Sequence, residues 1–562
     1  MMARLYPPLL IVLWALSCTA GPQAAISQVI PGGSEPGGKP QAADGQPRFQ
    51  SEGVAACARC HDNPTPEDQA QGITKFVLLT EYTTWAAHDR HEQAYRLLGS
   101  ELGRQMNDIL AQGDPNYDVR QDQRCLSCHA NWQAGRPRPK AYELTRGVTC
   151  EACHGPASEY LALHFKESWR TRSSAKKTEL GMIDLRDPAV RAELCASCHL
   201  GNAAQGKIVT HLMYAAGHPP LPPFELQTFA DHMPPHWRTW EEKTADFPHR
   251  AAMQQMQHYV LGDRVKPKSA MIGAVITMRE SLRLFASQTD VLLSNNLTTV
   301  PPPTETVARN ADATVDDLAP YASAASDASY ASAAWPELAL FDCSACHHDL
   351  TTSDISWRQQ RGYREQIPGR PIRPQWGRQA VQLGFRMAYP AGTQQAAISQ
   401  FQEQQALLAS AVAAQPFGDV SLFRQHAAAL DAQLNQLASR LSDTRFGISE
   451  ARAAVESLAD AATENLDYQS ARHLAWSLDV WLEALQPHRS PRDSDFASPR
   501  EPLFALPPRK APTSSGSSAG TDAGIAPSLA EAMRRAAEFD PRQFHRSLQR
   551  RYQNADRTGP EN

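Results

Sequence analysis

The sequence predicts a mainly α chain with much irregular loop, organised as a body around repeated Cys/His segments and followed by a C-terminal helical bundle. Three observations predict it. Ten of the 11 cysteines fall into five pairs of one identical spacing. Proline (42) outnumbers glycine (31), and Pro-, Gly- and Ser-rich stretches separate the segments that carry those pairs. Beyond Gln394 the composition turns to Ala, Leu, Gln and Arg with helical periodicity. A prior of roughly 150 residues per domain would divide 562 residues into three or four domains. The five pairs reduce that to one body, an extension bearing the fifth pair, and a helical C-terminal region. The pairs are Cys57-Ala-Arg-Cys60-His61, Cys125-Leu-Ser-Cys128-His129, Cys150-Glu-Ala-Cys153-His154, Cys195-Ala-Ser-Cys198-His199 and Cys343-Ser-Ala-Cys346-His347.

C-x-x-C-H is the covalent attachment site of c-type haem. A disulfide framework, a thioredoxin-like pair or a zinc site would not require a histidine after every second cysteine. The two thiols form thioethers to the porphyrin vinyls, and the two-residue spacer sets their separation. The adjacent histidine is then held beneath the iron. The sequence therefore predicts five covalently attached haems, with His61, His129, His154, His199 and His347 as proximal iron ligands. The macrocycles would also supply much flat apolar surface, in keeping with an aromatic content of only 7%. Their propionates add negative charge, for which Arg358, Arg361, Arg364, Arg370, Arg373 and Arg378 are either partners or a solvated basic loop.

Charge and hydropathy exclude other classes. Lys+Arg (55) and Asp+Glu (60) leave a net charge of −5, which argues against a nucleic-acid binder. No run of 18 or more apolar residues occurs, so a helical integral membrane protein is not expected.

In chain order, residues 1–20 read as an export signal, with an apolar run from Leu9 to Leu16 after Arg4. Cys18 is either discarded with that signal or, in a lipoprotein, becomes the acylated N-terminus that anchors the chain to lipid. Residues 21–50 form a flexible tether. After motif one, Trp85 to Leu98 reads as one helical stretch with His88 and His91 on a single face. Motifs two to four crowd into residues 125–199. His211 and His218 follow, the latter at a turn marked by Gly217 and two prolines, then His232 and His236. Residues 261–295 hold an amphipathic helix, Lys268 to Leu293, and 296–335 a low-complexity insertion. The fifth haem module covers 336–380. Helices over Phe401–Ala413, Ser421–Leu441, Ile448–Asn465 and Gln469–Leu485 form a bundle in 394–488. A linker (489–528) and a charged C-terminal helix and tail (529–562) complete the chain.

The sixth position of each iron separates carrier from enzyme. Of 19 histidines, five are proximal. The distal candidates are His88, His91, His164, His211, His218, His232, His236 and His348, whereas His426, His473, His488 and His545 read as surface or core residues.

Three segments outside the bare motifs resemble the multihaem cytochrome c-554 family. They are Gly147-Val-Thr-Cys150-Glu-Ala-Cys153-His154-Gly-Pro with His164 soon after, Trp85…His91-Glu-Gln-Ala-Tyr95, and Cys125-Leu-Ser-Cys128-His129-Ala. The resemblance covers about residues 50–260 and implies a tetrahaem body over 51–260 with haems stacked in close pairs. It implies His91 as distal ligand to the haem on His154, and His164 to that on His61. His211 or His218 would serve the fourth haem, and the haem on His129 would be the open one; His211 and His218 are seven residues apart, and the other of the two is a candidate ligand for the fifth haem. The fifth motif and the helical C-terminal region depart from the family pattern. The doubled His347-His348 resembles that of small tetrahaem cytochromes, where the second histidine ligates a neighbouring haem; a propionate or solvent contact is the alternative.

The sequence thus points first to an exported pentahaem carrier. It would pass electrons through mostly bis-His haems, on the periplasmic side or outer membrane face of a bacterium, between redox partner proteins. The second reading is an oxidoreductase acting on a small nitrogen or sulfur oxyanion at one five-coordinate haem. No C-x-x-C-K motif occurs, although pentahaem nitrite reductases typically carry one at the active haem. A third is a haem subunit that docks to a partner through its C-terminal helices.

Overall fold

Aspartate side chains start many of the helices. Asp122, Asp187 and Asp342 each accept a hydrogen bond from the backbone two residues on, opening the helices Gln123–His129, Pro188–His199 and Cys343–Cys346. Each of these satisfies an otherwise orphaned N–H and favours the positive helix terminus. The computed structural model describes residues 49–62, 77–132, 141–170, 172–238, 263–294, 337–347, 362–363, 370–414, 418–461, 466–485, 534–536 and 538–557. The segment read as an export signal, with Cys18, lies outside them, as do nearly all of the expected tether, the expected insertion and linker, His348, Arg358, Arg361 and Arg364.

Among the described residues every regular element is a helix, apart from an isolated bridge between Asn202 and Lys207. The described residues between 49 and 238 form short helices of 3 to 12 residues joined by loops. The fold is mainly α with much irregular loop, as the sequence predicts.

The expected single helix over Trp85–Leu98 is two. Glu81–His88 ends and Arg90–Leu97 begins at Asp89, whose extended backbone and side-chain bond to the His91 N–H make it an N-cap. His88 therefore closes one helix, exposed, while His91 lies in the first turn of the next.

The expected amphipathic helix is a long one, Val265–Ser294, and it is buried on all sides from residue 267 to 279. It is enclosed because it runs between the motif-four helix and the C-terminal helices. Gly273 allows the close crossing: a Cβ there would sit 2.6 Å from Leu226 Cβ. Polar ties fasten both sides. Arg279 pairs with Glu193 of the motif-four helix and donates to Asn435 at 2.6 Å, while Arg283 pairs with Asp431 at 2.7 Å. At its start, Lys268 and Asp263 form a fully buried ion pair at 2.7 Å, and Lys268 also donates to the Thr444 carbonyl.

The C-terminal helices are Arg378–Ala388, Ala391–Ala413, Val420–Asp443, Ile448–Asp460, Tyr468–Ala484 and Pro541–Arg557. The first was not anticipated from periodicity. One apolar core runs without a break from Ala192 and Ala196, through Ile272 and Ile276, to Leu434, Leu458 and Leu548.

Candidate haem-binding centres

Each motif sits on one helical turn. The helices Val54–His61, Gln123–His129, Cys150–His154 and Pro188–His199 all end on the motif histidine, and His347 directly follows Cys343–Cys346. Residues three and four apart share a helix face, so both sulfurs and the imidazole come to one side. None of the ten motif cysteines is in a disulfide. Burial pushes the thiols up, Cys125 and Cys153 to about 12 and Cys195 and Cys343 to about 11. They are therefore neutral S–H groups at physiological pH.

The histidines come together in twos. Ring centres lie 6.3 Å apart for His61 and His164, 6.2 Å for His91 and His199, 6.4 Å for His129 and His218, and 6.0 Å for His211 and His347. A metal–imidazole bond is about 2 Å long and the ring centre lies about 1 Å behind the nitrogen, so two trans imidazoles on one metal have centres about 6 Å apart. The four pairs fit that spacing. Among the described residues no cluster of three or more His, Cys, Asp or Glu could hold a bare metal ion. For His154 the neighbour is His236. The His154 imidazole is pushed down to about 4, first by burial and then by the charge of His236.

Hydrogen bonds at Nδ1 set the tautomers. Nδ1 of His129, His164, His218 and His236 bonds the carbonyl of Ala94 (2.8 Å), Leu161 (2.7 Å), Pro219 (2.8 Å) and Pro234 (3.2 Å). A carbonyl only accepts, so these Nδ1 atoms carry the proton and Nε2 keeps its lone pair for a metal. His61 donates from Nδ1 to Glu81 at 2.8 Å, and His91 to Asp89 at 3.0 Å. The Glu81 hydrogen bond lifts the His61 pKa above its ordinary value. At His91 burial opposes the charged form, but the bond to Asp89 outweighs it and the pKa is raised.

The motifs interlock out of sequence order. The thiol of Cys57 hydrogen-bonds that of Cys150, and Cys128 that of Cys198, so motif one adjoins motif three and motif two adjoins motif four. Cys153 interacts electrostatically with Cys195 and Cys198, which joins the two pairs. Glu151, inside motif three, accepts from the backbone N–H groups of Glu52, Gly53 and Ala157 at 2.8–2.9 Å and so holds the start of the motif-one helix. Gly147 has φ +70°, and a Cβ there would lie 2.5 Å from the His91 carbonyl, which the Val148 N–H bonds at 2.9 Å. Trp85 Nε1 donates to the Val148 carbonyl at 3.1 Å. The separate segments that carry the family resemblance are thus one contact in space.

Several expectations change. His91 lies across from His199 rather than from His154, because Asp89 turns the chain ahead of it. His218 faces His129, the position expected to be open, rather than the fourth motif, and His211 faces His347 of the fifth motif, one of the placements the sequence allowed. His88 is exposed, and exposed His232 bonds its own helix at the Thr228 carbonyl. Arg373 is buried and donates to Gln405 at 2.9 Å, so it is no part of a solvated loop, and Arg378 opens a helix. His473 is buried beside Ser477 at 3.4 Å. Glu81, Asp89, Glu151 and Glu337 were missed. Only Asp89, two residues before a histidine, carried a local signal.

Residues 56–155 match the family model described as cytochrome c554 and c-prime. Cytochrome c-554 of Nitrosomonas europaea is 31% identical over 95 residues, which is 16% of this chain and 39% of that protein. The chain thus spans well under half the length of that curated relative. No solved structure matches. Over residues 56–155 the chain carries a cytochrome c-554-like segment, and with it the covalent c-type haem attachment that its motifs spell out.

Proposed function

We propose that this chain is an exported pentahaem electron carrier of a bacterial respiratory or nitrogen/sulfur redox chain, with its irons closed by histidine on both sides. The observation that carries this reading is the set of four imidazole pairs at 6.0–6.4 Å, each joining a motif histidine to one outside the motifs. Bound haem supplies a one-electron ferric/ferrous couple, and two strong axial ligands suit it to outer-sphere transfer rather than substrate binding.

The chain's own residues do the rest. The ten motif cysteines would hold haem through thioethers to its vinyl groups. His61, His129, His154, His199 and His347 are the proximal ligands. His164 and His91 close the irons on His61 and His199, and His236 is the candidate for the iron on His154. Glu81 and Asp89 strengthen His61 and His91 as donors, which favours the ferric state and lowers those potentials. Covalent attachment implies export, because c-type haem is attached outside the cytoplasmic membrane, and the apolar run at Leu9–Leu16 supports it.

Pyridine haemochrome analysis with intact mass tests the reading: five haems per chain are expected, and the mass also shows whether Cys18 is removed or acylated. Electron paramagnetic resonance of the oxidised protein should give low-spin signals only. Fewer than five haems, or a high-spin iron in the untreated protein, would overturn it.

A further inference from the structure

We propose that the segment from His211 to His218 is a strap serving two irons. His218 closes the haem carried by His129, and His211 closes the haem carried by His347. The fifth haem is thereby appended directly beside the second. The strap presupposes the bis-imidazole haem binding proposed above.

Both histidines are placed by the same short helix, His211–Ala215. Thr210 caps its start by accepting from the Met213 N–H. At its end Gly217, with φ +119°, donates to the Tyr214 carbonyl at 3.0 Å, and the His218 N–H returns to the Met213 carbonyl at 2.9 Å. These two bonds form the paired closure that ends a helix on a glycine, and they seat His218 one residue beyond it. The Pro219 carbonyl then takes the His218 Nδ1 proton, leaving Nε2 as the ligating atom.

Each end of the strap is anchored to a different motif. Met213 and Ala216 pack in the apolar cluster that contains Leu126, a residue of motif two. The backbone N–H of His211 donates to Glu337 at 2.7 Å, and the same carboxylate accepts from Ala339 at 3.0 Å in the short helix leading to motif five. Tyr214, between the histidines in sequence, is buried; its hydroxyl accepts from the Leu221 N–H at 3.4 Å and its ring lies 5.9 Å from that of His218. Motif five is itself fixed by the Asp342 N–H to the Ile372 carbonyl and by Tyr363 donating to Asp342 at 2.9 Å. The ring pairs at 6.4 and 6.0 Å are thus two outputs of one rigid segment. Glu337 is a positioning residue for His211.

The test uses full-length haem-loaded protein, read by electron paramagnetic resonance and cyanide binding. His218→Ala is expected to open one ferric iron per chain to the high-spin state and to cyanide, and His211→Ala to open one other. His218→Met and His211→Met should stay low-spin, each with one haem raised in potential. Glu337→Gln should convert part of the His211-linked iron alone. Pairing is read from non-additivity. His129→Met with His218→Ala should perturb one iron, whereas His129→Met with His211→Ala should perturb two. A His218→Ala protein that keeps five haems and gains no high-spin iron would sink the strap while leaving the carrier intact. Loss of haems already in the unmodified protein would instead be a failure of the carrier reading.

Discussion

At the scale of single residues, five of the ring-paired histidines (His61, His91, His129, His164 and His218) have an acceptor at Nδ1. A carboxylate or carbonyl there fixes the tautomer and the ring orientation and raises ligand strength. Asp89 shows how much one side chain decides. It ends one helix, caps the next and receives both the backbone and the ring N–H of His91. His88, only three residues earlier, sits exposed on the far side of the break. His91→Ala should therefore create one high-spin, cyanide-binding iron per chain, whereas His88→Ala should leave the low-spin spectrum unchanged; the reverse result would refute the pairing with His199. Asp342 governs a second, pH-linked property. Burial, then the nearby Asp467, raises its carboxyl from the ordinary 3.8 to about 7. Between those values the folded chain keeps a proton that the unfolded chain has released, so its contribution falls as pH rises through the window. Asn at this position still caps the motif-five helix without titrating. Thermal melting of Asp342→Asn should lose less stability than the parent between pH 4 and 7, and parallel curves would contradict the assignment.

At the scale of elements, the helix Val265–Ser294 joins what composition suggested were separate regions. Its flanks meet the motif-four helix through Arg279 and Glu193, and the bundle through Arg283 and Asp431. Ile276 has no exposed surface in the continuous core. Ile276→Ala should cost about 2–5 kcal/mol. Urea unfolding followed by far-ultraviolet circular dichroism and by haem absorbance should shift together; separate midpoints for the two probes would mean that the bundle unfolds on its own. Periodicity made the bundle helices legible because their apolar residues recur at helical spacing, and Val420–Asp443 falls within two residues of the expected span. The long helix was legible in position but not in burial, since enclosure depends on which helices surround it. The helix Arg378–Ala388 was hidden behind its arginines, which suggested a propionate cluster.

At the scale of the whole molecule, local and distant information divide cleanly. The sequence alone determined the five C-x-x-C-H motifs that point to covalent haem, the mainly helical class, and the family resemblance. Those features are short-range, because a two-residue spacer and an adjacent ligand lie within one helical turn. Only the tertiary structure shows which histidine outside the motifs lies beside which motif histidine. The partners in the four ring pairs are separated by 89 to 136 positions, and nothing in local spacing distinguishes His91 from His88 or His211 from His218. Those choices were made by a cap at Asp89, a glycine-closed helix end at Gly217 and buried carboxylates at Glu151 and Glu337. Each acts across the fold by satisfying backbone N–H groups that would otherwise be left without partners.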